Sequence, residues 1–178
     1  MQMKNFITLI VFLSAVAAYA ADPEPKSQYV KDILPVWEVS TQNALAVARA
    51  MPADLYDFKP SDSSMTFSEQ IVHIAYTSLW LTQRFAADQV QEYSQPDFSG
   101  KSKEEVVAYL EGNLKKATEL LVAMPEEKAQ EEVKVFSGKM LKRYVALMFV
   151  QDHLANHRAK ANLYIRMNDI KPPAYGFF

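Results

Sequence analysis

The strongest constraint on this chain is a helical spacing of apolar residues, sustained over four long stretches. Across residues 27–50, Tyr29, Ile33, Trp37, Ala44, Leu45, Val47 and Ala48 recur on one helix face. Pro35 falls inside this stretch and predicts a kinked but continuous helix. The second stretch, 67–88, is preceded by Thr66 and reaches Glu69 three residues later, the pattern of a capping box. It places Ile71, Ile74, Ala75, Ser78, Leu79 and Leu81 on a buried side. The third, 103–124, carries Val106, Val107, Leu110, Leu114, Ala117, Leu120 and Leu121. Its acids come early and Lys115 and Lys116 later, as the helix dipole prefers. The fourth, 139–168, turns Leu141, Val145, Met148, Leu154, Ala155, Ala161 and Ile165 to the core, and Pro172-Pro173 prevents its resumption.

Little else is regular. Residues 131–136 alternate weakly through Val133 and Val135, which suits a short extended segment. Only 4 glycines in 178 residues argue against a turn-dense β protein and against a glycine-rich phosphate loop. The expected fold is all-α, a four-helix bundle. The longer connections, 53–64 and 89–102, predict crossovers rather than a plain up-and-down order.

The first twenty residues stand apart from the bundle. Lys4 precedes an apolar run over residues 6–17, and Ala18-Tyr19-Ala20 has the small-x-small form of a signal peptidase site. The run is short of the ~20 residues that span a bilayer. The expectation is a secretory signal over residues 1–20, cleaved after Ala20. It leaves one domain, 21–178, periplasmic or secreted, without a stable membrane anchor. A net charge of -2 gives no electrostatic footprint for nucleic acid. Zero cysteine excludes disulfides, thiolate metal sites, iron–sulfur clusters and a cysteine nucleophile.

All 3 histidines fall on the expected second and fourth helices. His153 and His157 are four apart, one above the other on a helix face. Together they can hold one divalent ion, and His73 can supply a third nitrogen from the neighbouring helix. Three imidazoles with an open fourth position form a catalytic type of site. A surface histidine pair at this spacing is also an ordinary helix feature. His73, flanked by Val72 and Ile74, is poorly placed for free solvation, and a buried imidazole needs a partner.

These residues carry a resemblance. The connection Met51-Pro52 followed by Tyr56-Asp57-Phe58-Lys59-Pro60, the helix opening from Thr66 to Ala75, and Asp152-His153-Leu154-Ala155-Asn156-His157-Arg158 resemble the DinB/YfiT-like metalloenzyme superfamily. The resemblance runs from about Gln28 to Pro173. It implies a four-helix bundle with a three-histidine metal site at His73, His153 and His157. Its last motif often reads His-His-Arg-Gly-Gln. Here it is Asn156-His157-Arg158-Ala159-Lys160, which keeps the ligand and changes its surroundings.

Other residues offer roles around such a site. Glu69 can act as a base or orient a ligand, and equally can be the capping carboxylate. Asp152 can orient an imidazole. Arg158 can attract an anionic substrate or form a surface ion pair. Tyr76 and Thr77 follow His73 and can line a pocket. The catalytic group itself is not identified. The cofactor expected is a divalent metal ion, zinc or nickel, since histidine nitrogens suit either.

Two functions follow. One is a metal-dependent enzyme on a small-molecule substrate, either a hydrolase or a thiol transferase of the kind found in some DinB-like families. The thiol must then be external, as the chain has none. The other is a non-catalytic metal-binding or ligand-binding bundle. A homodimer is expected as an assembly in either case.

Overall fold

The computed structural model describes residues 23–177; the expected signal segment lies outside them. Helix α1 (Gln28–Ala50) starts where the Ser27 hydroxyl accepts from the Val30 amide at 3.1 Å. It continues through Pro35, whose missing N–H forgoes one helical hydrogen bond. A single 3₁₀ turn (Ala53–Leu55) follows. Helix α2 (Phe67–Ala87) opens on the full capping box: the Thr66 hydroxyl accepts from the Glu69 amide at 3.1 Å, and the Glu69 carboxylate accepts from the Thr66 amide at 2.7 Å. Helix α3 (Lys103–Val122) has a second box, between Ser102 and Glu105.

After α3 the extended segment expected over residues 131–136 forms, and the chain departs from the sequence expectation on either side of it. A five-residue helix α4 (Glu126–Gln130) is followed by an antiparallel hairpin, β1 (Glu132–Lys134) and β2 (Met140–Lys142), registered Val133 against Leu141. Gly138 closes its turn at φ +82°, where a side chain would be strained. The last helix, α5 (Arg143–Met167), therefore begins four residues later than its spacing predicts. The shift matters for packing. Val145 and Met148 are exposed, and the buried row is Ala146, Leu147, Val150, Leu154, Ala161 and Ile165. Counting from Leu141 sets the wrong phase, because Leu141 belongs to a strand.

Two core clusters reveal the topology. One joins the C-terminal half of α1 (Ala44, Val47) and of α5 (Leu154, Ile165) to the N-terminal half of α2 (Phe67, Ile71) and of α3 (Val106, Leu110). The other joins the opposite halves through Trp37, Leu81, Leu121 and Val150. Helices α1 and α5 thus run one way, and α2 and α3 the other. Each of α1 and α2 packs on both α3 and α5. Parallel neighbours α2 and α3 require a return crossing, and segment 88–102 makes it. It climbs the outside of α2: Trp80 Nε1 donates to the Gln91 carbonyl at 2.9 Å, and the Ser94 amide donates to the Tyr76 hydroxyl at 2.7 Å.

Candidate metal centre

The direction of the helices brings the histidines together. His73 lies on α2 and His153 and His157 on α5, and these two helices pack against each other. Ring centroids are 5.1 Å apart for His73 and His153, 4.4 Å for His73 and His157, and 4.6 Å for His153 and His157. One nitrogen from each lies within 4.8 Å of the other two, so the set can hold a metal ion.

The outer nitrogens define which face is inward. His157 Nδ1 donates to Gln70 Oε1 at 2.7 Å, and Gln70 in turn directs its Nε2 to the Tyr164 hydroxyl at 3.4 Å. His73 Nδ1 donates to Gln95 Oε1 at 2.8 Å, with the Tyr93 oxygen at 3.2 Å; the Tyr93 hydroxyl gives its own hydrogen to Gln95. His153 Nδ1 faces Thr77 Oγ1 at 3.3 Å, whose hydrogen is committed to the His73 carbonyl at 2.6 Å. Each Nδ1 thus points its proton at an oxygen, which leaves each Nε2 with a lone pair turned inward. Metal-bound histidines are held in this way.

The inward spacing suits an ion. His73 Nε2 and His153 Nε2 are 3.4 Å apart. Two nitrogens at about 2.0–2.1 Å from zinc, at the tetrahedral angle, stand about 3.3 Å apart. With both Nδ1 protons facing oxygens, these two lone pairs face each other without a hydrogen between them. A cation at the point of convergence would resolve that repulsion.

The surroundings of the two α5 imidazoles favour their neutral form, as ligation requires. Burial, then the neighbouring His73 and His153, pushes the His157 pKa down to about 3. Burial and His73 lower His153 as well, with Lys160 adding to the effect and Asp152 opposing it.

The remaining residues sort by position. Thr77 is buried against His153, and Tyr76 anchors the crossing segment through Ser94. Glu69 is exposed and its carboxylate is engaged at the start of α2, so it serves the cap. Asp152 is exposed and acts on His153 only through its charge. Arg158 is not a surface ion pair. It is buried, its guanidinium lies 4.9 Å from the Tyr175 ring centre, and no carboxylate pairs with it among the described residues. It faces α1 and the C-terminal tail, beside Asn43 and Asn162, because the next residue along a helix turns about 100° away from His157.

Sequence reasoning missed Gln70, Gln95 and Tyr93. Gln70 had a signal, standing one turn before His73 on the same face. The other two lie in an irregular segment whose course along α2 no local pattern announces.

The comparisons agree with this architecture. The family model described as the DinB superfamily matches residues 37–161. A solved DinB-like protein from Bacillus subtilis is similar at 20% identity and TM-score 0.62, over 84% of this chain and 97% of that one. Another, from Bacillus cereus, is similar at 15% identity and TM-score 0.68, over 83% and 97%. Among curated proteins, none matches. At these identities the solved structures speak to the fold, and the family model spans most of the chain, histidines included: the chain belongs to the DinB superfamily.

Proposed function

We propose that His73, His153 and His157 hold one divalent ion, zinc or nickel, through their Nε2 atoms, and that the protein is a metal-dependent enzyme acting on a small molecule. The observation that carries this reading is the triple Nδ1 anchoring, which turns three Nε2 lone pairs toward one point. Among the described residues no fourth histidine or carboxylate joins the cluster, an arrangement that favours an open coordination position. When bound, such an ion lowers the pKa of a water or thiol toward neutrality. The protein's part is to fix the three ligands and, at His153 and His157, to favour the unprotonated ring. Hydrolysis and thiol transfer both fit this site, and the second needs an external thiol, since the chain has no cysteine.

Elemental analysis of protein purified from its native compartment tests the metal. One ion per chain is expected in the wild type and none in His157→Ala; metal-free wild-type protein defeats the proposal. Turnover of ester, amide and thiol–electrophile substrates then separates the two reaction types, and no turnover by metal-loaded protein leaves a binding bundle. The segment before Ala21 supports export, and mass spectrometry of the native protein tests it by the expected N-terminus at Ala21.

A further inference from the structure

Toward the start of α5 from the histidines lies an apolar cavity of about 280 Å³, walled by Phe85, Phe136, Leu141, Val145, Ala146 and Phe149. Two rows of side chains link it to the histidine cluster. On α5, Val145, Phe149 and His153 are each four residues apart and stand in one row. At 1.5 Å per residue, Phe149 lies about 6 Å and Val145 about 12 Å along the axis from His153. Phe149 belongs to both sites, since it lines the cavity and its ring lies 6.0 Å from that of His153. On the facing side, Tyr93 touches His73 and packs edge-on against Trp80 at 5.3 Å. Trp80 stacks on Phe136, also at 5.3 Å, and Phe136 completes the cavity wall.

The lining selects an occupant. No charged side chain contributes to it, and Ser137 is its one polar side chain. A charged group there would lose its hydration without gaining a partner. The volume is ample: an apolar cavity of about 150 Å³ takes up benzene. Phe136 and Phe149 remain 58% and 50% exposed, so apolar surface stays wet beside a polar reactive centre.

The geometry points to a substrate of two parts: a polar reacting group held at the histidine cluster, and an uncharged aryl or alkyl arm lying in this cavity. This rests on the metal reading above. Its test is calorimetry of zinc-loaded protein with a series of straight-chain hydroxamates, from acetohydroxamate to octanohydroxamate. The hydroxamate group binds zinc and the chain samples the cavity.

The expected result is a dissociation constant falling roughly two- to fourfold per methylene while the chain fits, the upper figure corresponding to full burial. Val145→Glu, at a partly exposed position, should flatten that dependence, and so should Phe149→Ser as a second variant. The slope is a ratio within one protein, so a change in overall affinity does not disturb it. Acetohydroxamate binding with no chain-length gain in the wild type overturns the arm and leaves the metal reading intact. A gain that survives both substitutions places the arm elsewhere and overturns the cavity assignment. A flat series in protein that sediments as a dimer gives this surface to a second copy and overturns it equally. Failure to take up zinc, measured first by titration of zinc alone, defeats the metal reading and this inference together.

Discussion

Gln70 stands three residues before His73 on α2, yet it serves His157 across the helix interface, 2.7 Å from Nδ1. It is buried, and its amide is fixed at both ends, by His157 and by Tyr164. Its removal leaves His157 in place but frees the ring to turn. Gln70→Ala is expected to weaken zinc binding 10- to 100-fold, with the helical circular dichroism unchanged. Loss of all affinity would mean that the residue holds the bundle rather than the ring. His73, His153 and His157 were legible in the sequence through spacing and resemblance. The oxygens that orient them were not, because a hydrogen-bond partner is chosen by the neighbouring element and not by the residue's own helix.

Elements were legible where the chain ends them chemically. Thr66 and Glu69 mark the start of α2 without reference to any other part of the molecule. Thr66→Ala should destabilise the protein by about 1 kcal/mol in urea unfolding, as the loss of a cap does. The end of α2 is set instead by tertiary charge. Asp88 adopts φ 57° and pairs with Lys128 and with the buried Arg143, each at 2.6 Å. The hydrogen bond from Lys128 is the largest influence; burial opposes it, the hydrogen bond and charge of Arg143 add to it, and the carboxyl stays below the usual range. The unfolded chain therefore takes up this proton first as pH falls. The contribution is complete above the ordinary carboxylate pKa of about 4 and is lost below it. Asp88→Asn should cost about 1–2 kcal/mol at pH 7, since the buried Arg143 keeps only the half-exposed Glu131 as a charged partner, beside the Phe85 carbonyl. It should also flatten the fall in stability below pH 4, which urea midpoints across pH 2.5–7 will measure. The second strand of the hairpin escaped notice for the opposite reason. Lys139, Met140, Leu141 and Lys142 are good helix formers, and only pairing with β1 makes Met140–Lys142 a strand.

At the scale of the molecule, the candidate metal site is a tie between two helices whose facing histidines are 80 residues apart in the chain. Binding to the folded state alone must then stabilise the whole bundle. At a hundredfold excess of free zinc over its dissociation constant, unfolding should become about 2.7 kcal/mol harder in the wild type and no harder in His157→Ala, read as the shift in the thermal midpoint. The crossing segment adds a second tie. It runs beside Trp80, Tyr76 and His73 in turn and delivers Gln95 to the cluster. Its path exists because α2 and α3 are parallel and the chain must return along the bundle to begin α3.

The sequence by itself determined the four long helices, the cap at Thr66 and the supply of histidines: periodicity, short-range hydrogen bonding and residue chemistry act within a few residues of where they are read. It also determined that any metal here is held by nitrogen or oxygen, because there is no cysteine. The tertiary structure alone decided the phase of α5, the hairpin that precedes it, the burial of Arg158 under Tyr175, and the oxygen that each imidazole meets. Those outcomes depend on which surfaces pack together, and packing couples residues far apart in the chain through contacts that no local pattern encodes.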